Sequence, residues 1–415
     1  MAIGSGYNPG DVLVTSVNII GSGYNLNFAP NFLSCSIVES IFTGGVTADI
    51  EVADYDDYLS KLNLQGSELV YISFSKPVNG STTFISGSYT LYLNRVKNIT
   101  ILGTQKTKIY ELECVSQEAI TGMANQVQKV YNTQISSIIS DIFSSVLQTS
   151  LPVDVEQTKG QRYIPLFNQR GVDAIEMLRK EAISPQNSSS NYMYFITQRG
   201  IHFKTIEQML REGDLKTFKQ EDSVGHSALS DIDTNILAWK VEQNMNAMNR
   251  AKAGIINTQV STFNIHTNEY NQKTFNPDLN SFVNLGTNLI SSAQQFKNNF
   301  PSALRTLFRV VGANPNINVG KSFLPEAIPN KMANLAQMTE QLMRMTVIGE
   351  PLLEAGRTIF CNVPEVINTT DNIPPEPQVS GRWLISKLEH SIKRANIRPR
   401  YLCNVECIKG AYQGA

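Results

Sequence analysis

A set of strand-like segments near the start of this 415-residue chain recurs, in the same order, after residue 250. Gly44–Asp54 (GGVTADIEVAD) lines up with Gly254–Asn264 (GIINTQVSTFN), and Tyr71–Pro77 with Thr358–Pro364. Tyr92–Asn98 lines up with Leu384–His390, and Glu113-Cys114-Val115 with Glu406-Cys407-Ile408. Each pair alone says little, because any two strands alternate apolar and polar residues. The shared order is what constrains the fold. A chain that carries one β-unit twice has two similar apolar faces to bury, and whatever interrupts a copy must hang from it as an insertion. The second and third segments are similarly spaced in both copies, but the first and second lie much farther apart in the second copy. The pattern predicts a duplicated β-domain whose second copy hosts an insertion of roughly 70 residues.

Periodicity fills in the rest. Residues 10–118 read as successive strands: Val12–Val17, Ser34–Ile41, Val46–Val52, Leu69–Phe74, Tyr89–Val96 and Ile109–Val115. Gly, Asn, Ser and Pro separate them at turn-like spacing. Ile135, Ile138, Ile139, Ile142 and Val146 then recur at the spacing of an amphipathic helix. A second helix starts near Gly171, with Val172, Ile175, Leu178 and Ala182 on one face, and Tyr192–Thr197 and Ile201–Lys204 flank a hairpin turn. Strand periodicity returns at Ile236–Val241 and Ile255–Phe263. Short helices are expected at Leu289–Phe296 and Ala303–Phe308, and a clearer one over Lys331–Met343 with Leu335, Met338 and Leu342 inward; from Met345 the chain is β again. The expected class is α+β, mostly β. It comprises a first tube-like barrel over 1–120, a small α+β domain over 121–212, a second barrel from 213–268 and 341–415, and an insertion domain over 269–340.

Composition matters for what it excludes. Lys and Arg total 35 against 36 Asp and Glu, a net charge of −1. A protein that holds nucleic acid needs a basic face to displace counterions, and this balance argues against one. Charged residues are only 17% of the chain, and 38 Asn supply much of the polar quota. A weakly charged amide surface suits a subunit of an assembly. No apolar run approaches the roughly 18 residues that span a bilayer, and MAIGSGYNPGDVLV has neither the basic nor the apolar region of a signal peptide. Cys35, Cys114, Cys361, Cys403 and Cys407 are odd in number and form no CxxC pair, so they read as buried thiols.

No residue set points to catalysis, a cofactor or a metal. His202, His226, His266 and His390 form no HExxH or His/Cys zinc set. His202, between Ile201 and Phe203, reads as a packed or edge imidazole. Asp54-Tyr55-Asp56-Asp57 lacks the alternating oxygens and central Gly of a calcium loop and reads as a solvated turn. Gly4-Ser5-Gly6 and Gly21-Ser22-Gly23 lead into no P-loop or dinucleotide turn. Lys387–Arg400 is the most basic stretch, but it carries Glu389 and Pro399 and no aromatic platform for bases, which fits a charged loop or an assembly contact. Met332, Met338, Met343 and Met345 read as helix core, with a soft interface as the alternative.

Ile37–Phe42, Ala48–Asp54 and Leu62–Phe74 resemble the first tube domain of phage baseplate hub proteins. Phe167–Leu178 followed by Tyr192–Phe203 resembles the same family, and Met345–Gly356 and Gly381–His390 are similar to its closing strands. The resemblance covers nearly the whole chain, thinning between 269 and 340. It implies a central hub of a contractile-tail baseplate like that of the T-even phages, related to the N-terminal part of type VI secretion VgrG proteins. Such a hub is a non-enzymatic virion protein, assembled in the host cytoplasm. Its homotrimer sets two barrels per chain in a ring of six, between a six-fold tail tube and a three-fold spike. The implied partners are a spike protein, a tail tube or tube-initiator protein, and tape-measure and baseplate wedge proteins. DNA would pass through the channel without specific binding, and no membrane is involved. VgrG-type chains continue into an OB-fold and a β-helical spike, whereas this sequence ends at Ala415, so a separate spike is expected. The competing readings are a tail-associated cell-wall hydrolase with an unrecognised active site, and a tail-fibre module. Glu113 and Glu406, at matching repeat positions, favour a structural role for both.

Overall fold

The computed structural model describes residues 10–409 apart from 63, 65, 78–82, 104–106, 187–188, 221–232, 244–246, 255–256, 266–267, 276–297, 301–303, 312–330, 333–334, 337, 365–378 and 396–397. The expected helix Leu289–Phe296, His226, His266 and Gly4–Gly6 lie outside the described residues. The chain opens with β1 (Leu13–Gly21), β2 (Tyr24–Asn27), β3 (Phe32–Ser40), β4 (Thr47–Asp54), a short helix α1 (Tyr58–Leu62), β5 (Leu69–Pro77), β6 (Phe84–Leu102) and β7 (Thr107–Val115). Every expected strand of this region is present. Alternation explains the faces: Cys35 and Ile37, Ala48 and Ile50, and Leu112 and Cys114 are buried, while the residues between them reach the surface.

An α+β stretch follows: α2 (Gln117–Ala124), β8 (Gln126–Gln134), α3 (Ile135–Ser145), β9 (Val153–Val155), β10 (Gln161–Arg170), α4 (Gly171–Glu181), β11 (Tyr192–Thr197), β12 (Gly200–Thr205) and α5 (Ile206–Arg211). It holds a β8–β10 pair and a three-stranded sheet β11-β12-β9. The expected stripe of α3 is buried through Ile135, Ile138, Ile139 and Ile142, and that of α4 through Ile175, Leu178 and, just past its end, Ala182, with Val172 half-buried. Then come β13 (Thr217–Lys219), β14 (Ile236–Gln243), α6 (Ala247–Ala253), β15 (Thr258–Asn264), β16 (Glu269–Phe275), β17 (Arg305–Val311), β18 (Gln341–Ile348), β19 (Thr358–Asn362), β20 (Gly381–Lys393) and β21 (Arg400–Lys409). The protein is mostly β.

Thirteen strands form one sheet, in the order β14-β18-β21-β20-β3-β4-β7-β6-β5-β1-β2, with β19 on β20 and β13 on β19. The path is open from β14 to β2 among the described residues. Strands from the two ends of the chain meet at β20–β3. Read in one direction along the sheet, β14-β18-β21-β20-β19-β13 in one half and β3-β4-β7-β6-β5-β1 in the other use their strands in the same chain order. Registers agree in detail. β6–β7 sets Leu93 and Arg95 against Cys114 and Glu113 with Asn94 bulged, and β20–β21 sets Ile385 and Lys387 against Cys407 and Glu406 with Ser386 bulged. β3–β4 bulges between Phe32 and Ser34, and β14–β18 at the matching place between Ile236 and Ala238. A bulge interrupts the ladder and is kept for geometry, so two in matching places weigh more than shared alternation. The halves differ at their rims, where β1 is antiparallel to β5 but β13 is parallel to β19.

Several sequence expectations are corrected. β15 lies in a separate sheet, β16-β15-β17, so Gly254–Asn264 is not placed like Gly44–Asp54; the strand paired as β4 is paired is β18. The main sheet is therefore interrupted from the end of β14 to the start of β18, a wider span than 269–340. Leu69 faces Tyr92 where Thr358 faces Leu384, so the match of Tyr71 with Thr358 is two residues out. The expected helix Ala303–Phe308 is strand β17, held in parallel register by β15. The expected helix Lys331–Met343 gives way to strand at Gln341, because Leu342 and Met343 pair with Ile408 and Cys407. Met338, Met343 and Met345 are core as expected, but Met332 is exposed.

Candidate assembly surface

The outer face of the joined sheet carries charges that oppose one another across strands. In the first half Lys97 Nζ lies 2.8 Å from Asp49 and 3.3 Å from both Glu111 and Glu113. Arg95 donates twice to Glu113, at 2.9 and 2.8 Å. These Arg95 bonds, with Asn94 and Lys97 behind them, hold the Glu113 carboxyl down to about 2 against the opposing effect of burial. In the second half Arg344 reaches Glu406 at 3.1 Å and Glu242 at 3.4 Å, and Lys240 reaches Glu242 at 2.6 Å. A groove of about 470 Å³ opens there between Trp239, Arg344, Thr346, Lys387 and Glu389. An exposed ion pair is worth only about 0–1 kcal/mol. The face thus carries its charge in opposed, partly exposed networks, in which Lys97 alone meets three carboxylates.

The two halves join where Lys387–Lys393 of β20 pairs with Ser40–Ser34 of β3. On the outer side Ser36 Oγ donates to Glu389 at 2.6 Å. On the inner side Cys35, Ile37, Leu388, His390 and Ile392 are buried. His390 Nδ1 lies 2.6 Å from Tyr401 Oη and 3.5 Å from Cys403 Sγ, and its ring packs against Phe74 and Tyr89. Burial pushes the imidazole down to about 3, so it is a neutral packing group.

Beside the joint sits a buried polar cluster. Glu39 accepts from Tyr89 Oη at 3.0 Å, from the Gln198 amide at 2.8 Å and from the Ala355 amide at 3.2 Å. It thereby ties the sheet to the β11–β12 turn and to the loop before β19. Burial pushes its carboxyl up to about 7. Next to it Thr197 Oγ1 donates to Glu354, and His202 stands between Glu354 at 3.4 Å and Asp154 at 3.2 Å. Burial would strip the imidazole of its proton, but Asp154 and Glu354 win and its pKa is raised. Thr197 Oγ1 is also 3.1 Å from His202 Nε2, so Thr197, His202 and Asp154 stand in the order of a nucleophile–base–acid relay. Thr197 is 1% exposed and its proton is committed to Glu354, so the hydroxyl is not presented to a substrate.

The other sequence candidates fall as follows. Asp54 is no solvated turn: it is buried and accepts from the amides of Asp56 and Leu59 and from Tyr110 Oη, holding the start of α1. All five cysteines are free and buried, and burial pushes the thiols of Cys361 and Cys403 up to about 12. Lys387 and Lys393 belong to β20 and not to a loop, while Arg398 pairs with Asp11 at 3.5 Å. Glu113 and Glu406 face Arg95 and Lys387 across matching registers. Among the described residues no three His, Cys, Asp or Glu side chains gather as a metal site, and no helix is long and apolar enough to cross a membrane. Glu39, Glu354 and Asp154 do not stand out in the sequence. Glu39 has one signal, its inward phase with Cys35 and Ile37 on an alternating strand.

No family model matches the sequence, and no curated protein does. Solved structures do. The tail protein from Neisseria meningitidis MC58 is 8% identical, with a TM-score of 0.54 over 95% of this chain and 96% of that one. The 43 kDa tail protein of prophage MuSo2 from Shewanella oneidensis is 10% identical, with a TM-score of 0.54 over 95% of this chain and 98% of that one. A type VI secretion component of E. coli, described as structurally similar to the T4 tail proteins gp27 and gp5, is 9% identical, with a TM-score of 0.44 over 97% and 79% of the two chains. The chain has the fold of phage tail proteins.

Proposed function

We propose that the chain is a structural virion protein, the central hub of a contractile-tail baseplate. Three copies form a ring that joins the six-fold tail tube to the three-fold spike and encloses part of the tail channel. The observation that carries this reading is the six-strand unit used twice with matching bulges. Three chains with two such units each offer six quasi-equivalent places on one side and keep three-fold symmetry on the other. We read the two units as copies of one ancestral tube domain, the α+β stretch as a domain between them, and the segment between β14 and β18 as an insertion. The fold shared with phage tail proteins supports the virion assignment. The charged outer face suits a hydrated surface along which DNA slides. The spike and tube proteins would dock on opposite rims of the ring.

Light scattering and negative-stain imaging of the purified chain test the reading. A compact three-copy torus is the expected result. A chain that stays monomeric at micromolar concentration, alone and with its spike partner, overturns it.

A further inference from the structure

Two of the open strand edges of the main sheet, among the described residues, are the counterparts of the β3–β20 joint. β14 pairs on one side only, with β18. β6 pairs with β5 as far as Tyr92 and with β7 from Tyr92 to Leu102, which leaves the other flank of Arg95–Leu102 open. In the matching half that flank is filled. β20 holds β21 on one side and, once its pairing with β19 ends at Leu384, takes up β3 on the other from Lys387. By register and bulge, β6 corresponds to β20 and β14 to β3. The joint inside the chain thus has an unfilled counterpart, with one edge of it in each half of the sheet.

We propose that β14 of one copy pairs antiparallel with Arg95–Leu102 of the next, repeating between chains the β3–β20 joint formed within each. The proposal deepens the hub reading and rests on it for the number of copies. The β3–β20 register, carried over, sets the contacts. Glu242 stands opposite Lys97, as Val38 stands opposite Glu389. β6 then carries one extra residue at Asn98–Ile99, where Asn98 has φ +55°. Beyond it Lys240 meets Thr100 and Trp239 meets Ile101.

The exposures follow this register. In the filled joint Cys35 and Ile392 oppose each other and are 2% and 1% exposed. Ile101, the counterpart of Ile392, is 62% exposed, and Trp239, the counterpart of Cys35, is only partly buried. Ile99 and Leu102 are bare beside Ile101. An open row of main-chain donors and acceptors flanked by bare isoleucines is a template for another strand. Charge agrees as well. Glu242 brings Lys240 and Arg344 to the seam, and Lys97 brings Asp49 and Glu111, so opposite charges alternate across it. The two edges differ, so the contact is head-to-tail and does not stop at a two-fold dimer; the hub reading closes it as a ring of three.

Two variants test the seam in the full chain. Thr100→Cys with Lys240→Cys, treated with a short thiol crosslinker, should give covalently joined chains up to the complete ring, because the five native thiols are buried. Thr100→Cys with Leu237→Cys, out of register, should link far less. Ile101→Asp alters an exposed side chain, so its circular dichroism should match the parent while light scattering shows loss of the ring. A ring that survives Ile101→Asp and never crosslinks through the first pair overturns this seam and leaves the hub standing. Equal crosslinking by both pairs overturns the register. A monomeric parent chain overturns both readings.

Discussion

Glu39 and His390 are both buried at the β3–β20 joint, and their titrations oppose each other. Glu39 has its carboxyl raised to about 7 from an ordinary 4.5. The folded protein therefore holds a proton that the unfolded chain loses, and Glu39 makes stability fall as pH rises from 4.5 to 7, by roughly 3 kcal/mol in all. His390 is lowered to about 3 from 6.5. Here the unfolded chain binds the extra proton, so stability rises with pH between 3 and 6.5. The two slopes nearly cancel between pH 5 and 6.5. Glu39→Gln should unmask His390, so that urea unfolding shows the variant gaining about 2 kcal/mol relative to the parent over that window. Equal slopes in both proteins would remove Glu39 as the opposing group. The burial of Glu39 is legible in the sequence through its phase. Its partners Gln198 and Ala355 are not, because they lie 159 and 316 residues away and no local pattern encodes them.

Helices and strands were legible in proportion to how one-sided they are. α3 buries one stripe and was read within a residue or two; Ile142→Ala should cost about 2–5 kcal/mol in chemical denaturation, the price of a cavity at a fully buried site. β8 and β10 are polar on both faces, with only Val127, Tyr131, Arg162 and Leu166 buried, so they left no alternation to find. β17 failed for the opposite reason. Thr306-Leu307-Phe308 fits either period, and only its pairing with β15 decides. Docking of the β11–β12 hairpin on the sheet is a tertiary matter, held by Glu39 at the Gln198 amide and by the tie of His202 to Glu354 and Asp154. The raised imidazole makes this tie complete below pH 6.5 and weakens it as pH climbs through the folded titration. Limited proteolysis at the Gln198–Gly200 turn should quicken in the parent from pH 6 to pH 8.5, whereas His202→Gln should be cut quickly at both. A turn equally resistant in both proteins would count against the tie.

At the scale of the molecule, the order of recurring segments was readable but their equivalences were only partly so. Tyr92–Asn98 with Leu384–His390 and Glu113 with Glu406 agree with the registers found, bulge included. Gly44–Asp54 found a lookalike in β15 because one short alternating strand resembles another, and sheet membership is fixed by pairings hundreds of residues apart. The proposed seam between chains is mostly main-chain bonds and apolar cover, with its ion pairs at the rim. Raising salt from about 0.05 M to about 1 M should screen those pairs and leave the ring intact by light scattering; dissociation would mean that charge holds it together. The joint inside each chain adds a consequence under load. In the proposed ring, three of the six seams lie within single chains, where the α+β stretch spans them covalently, and the other three hold by contact alone. A pull that widens the channel would part the contact seams first and release intact two-unit wedges, able to close again without refolding.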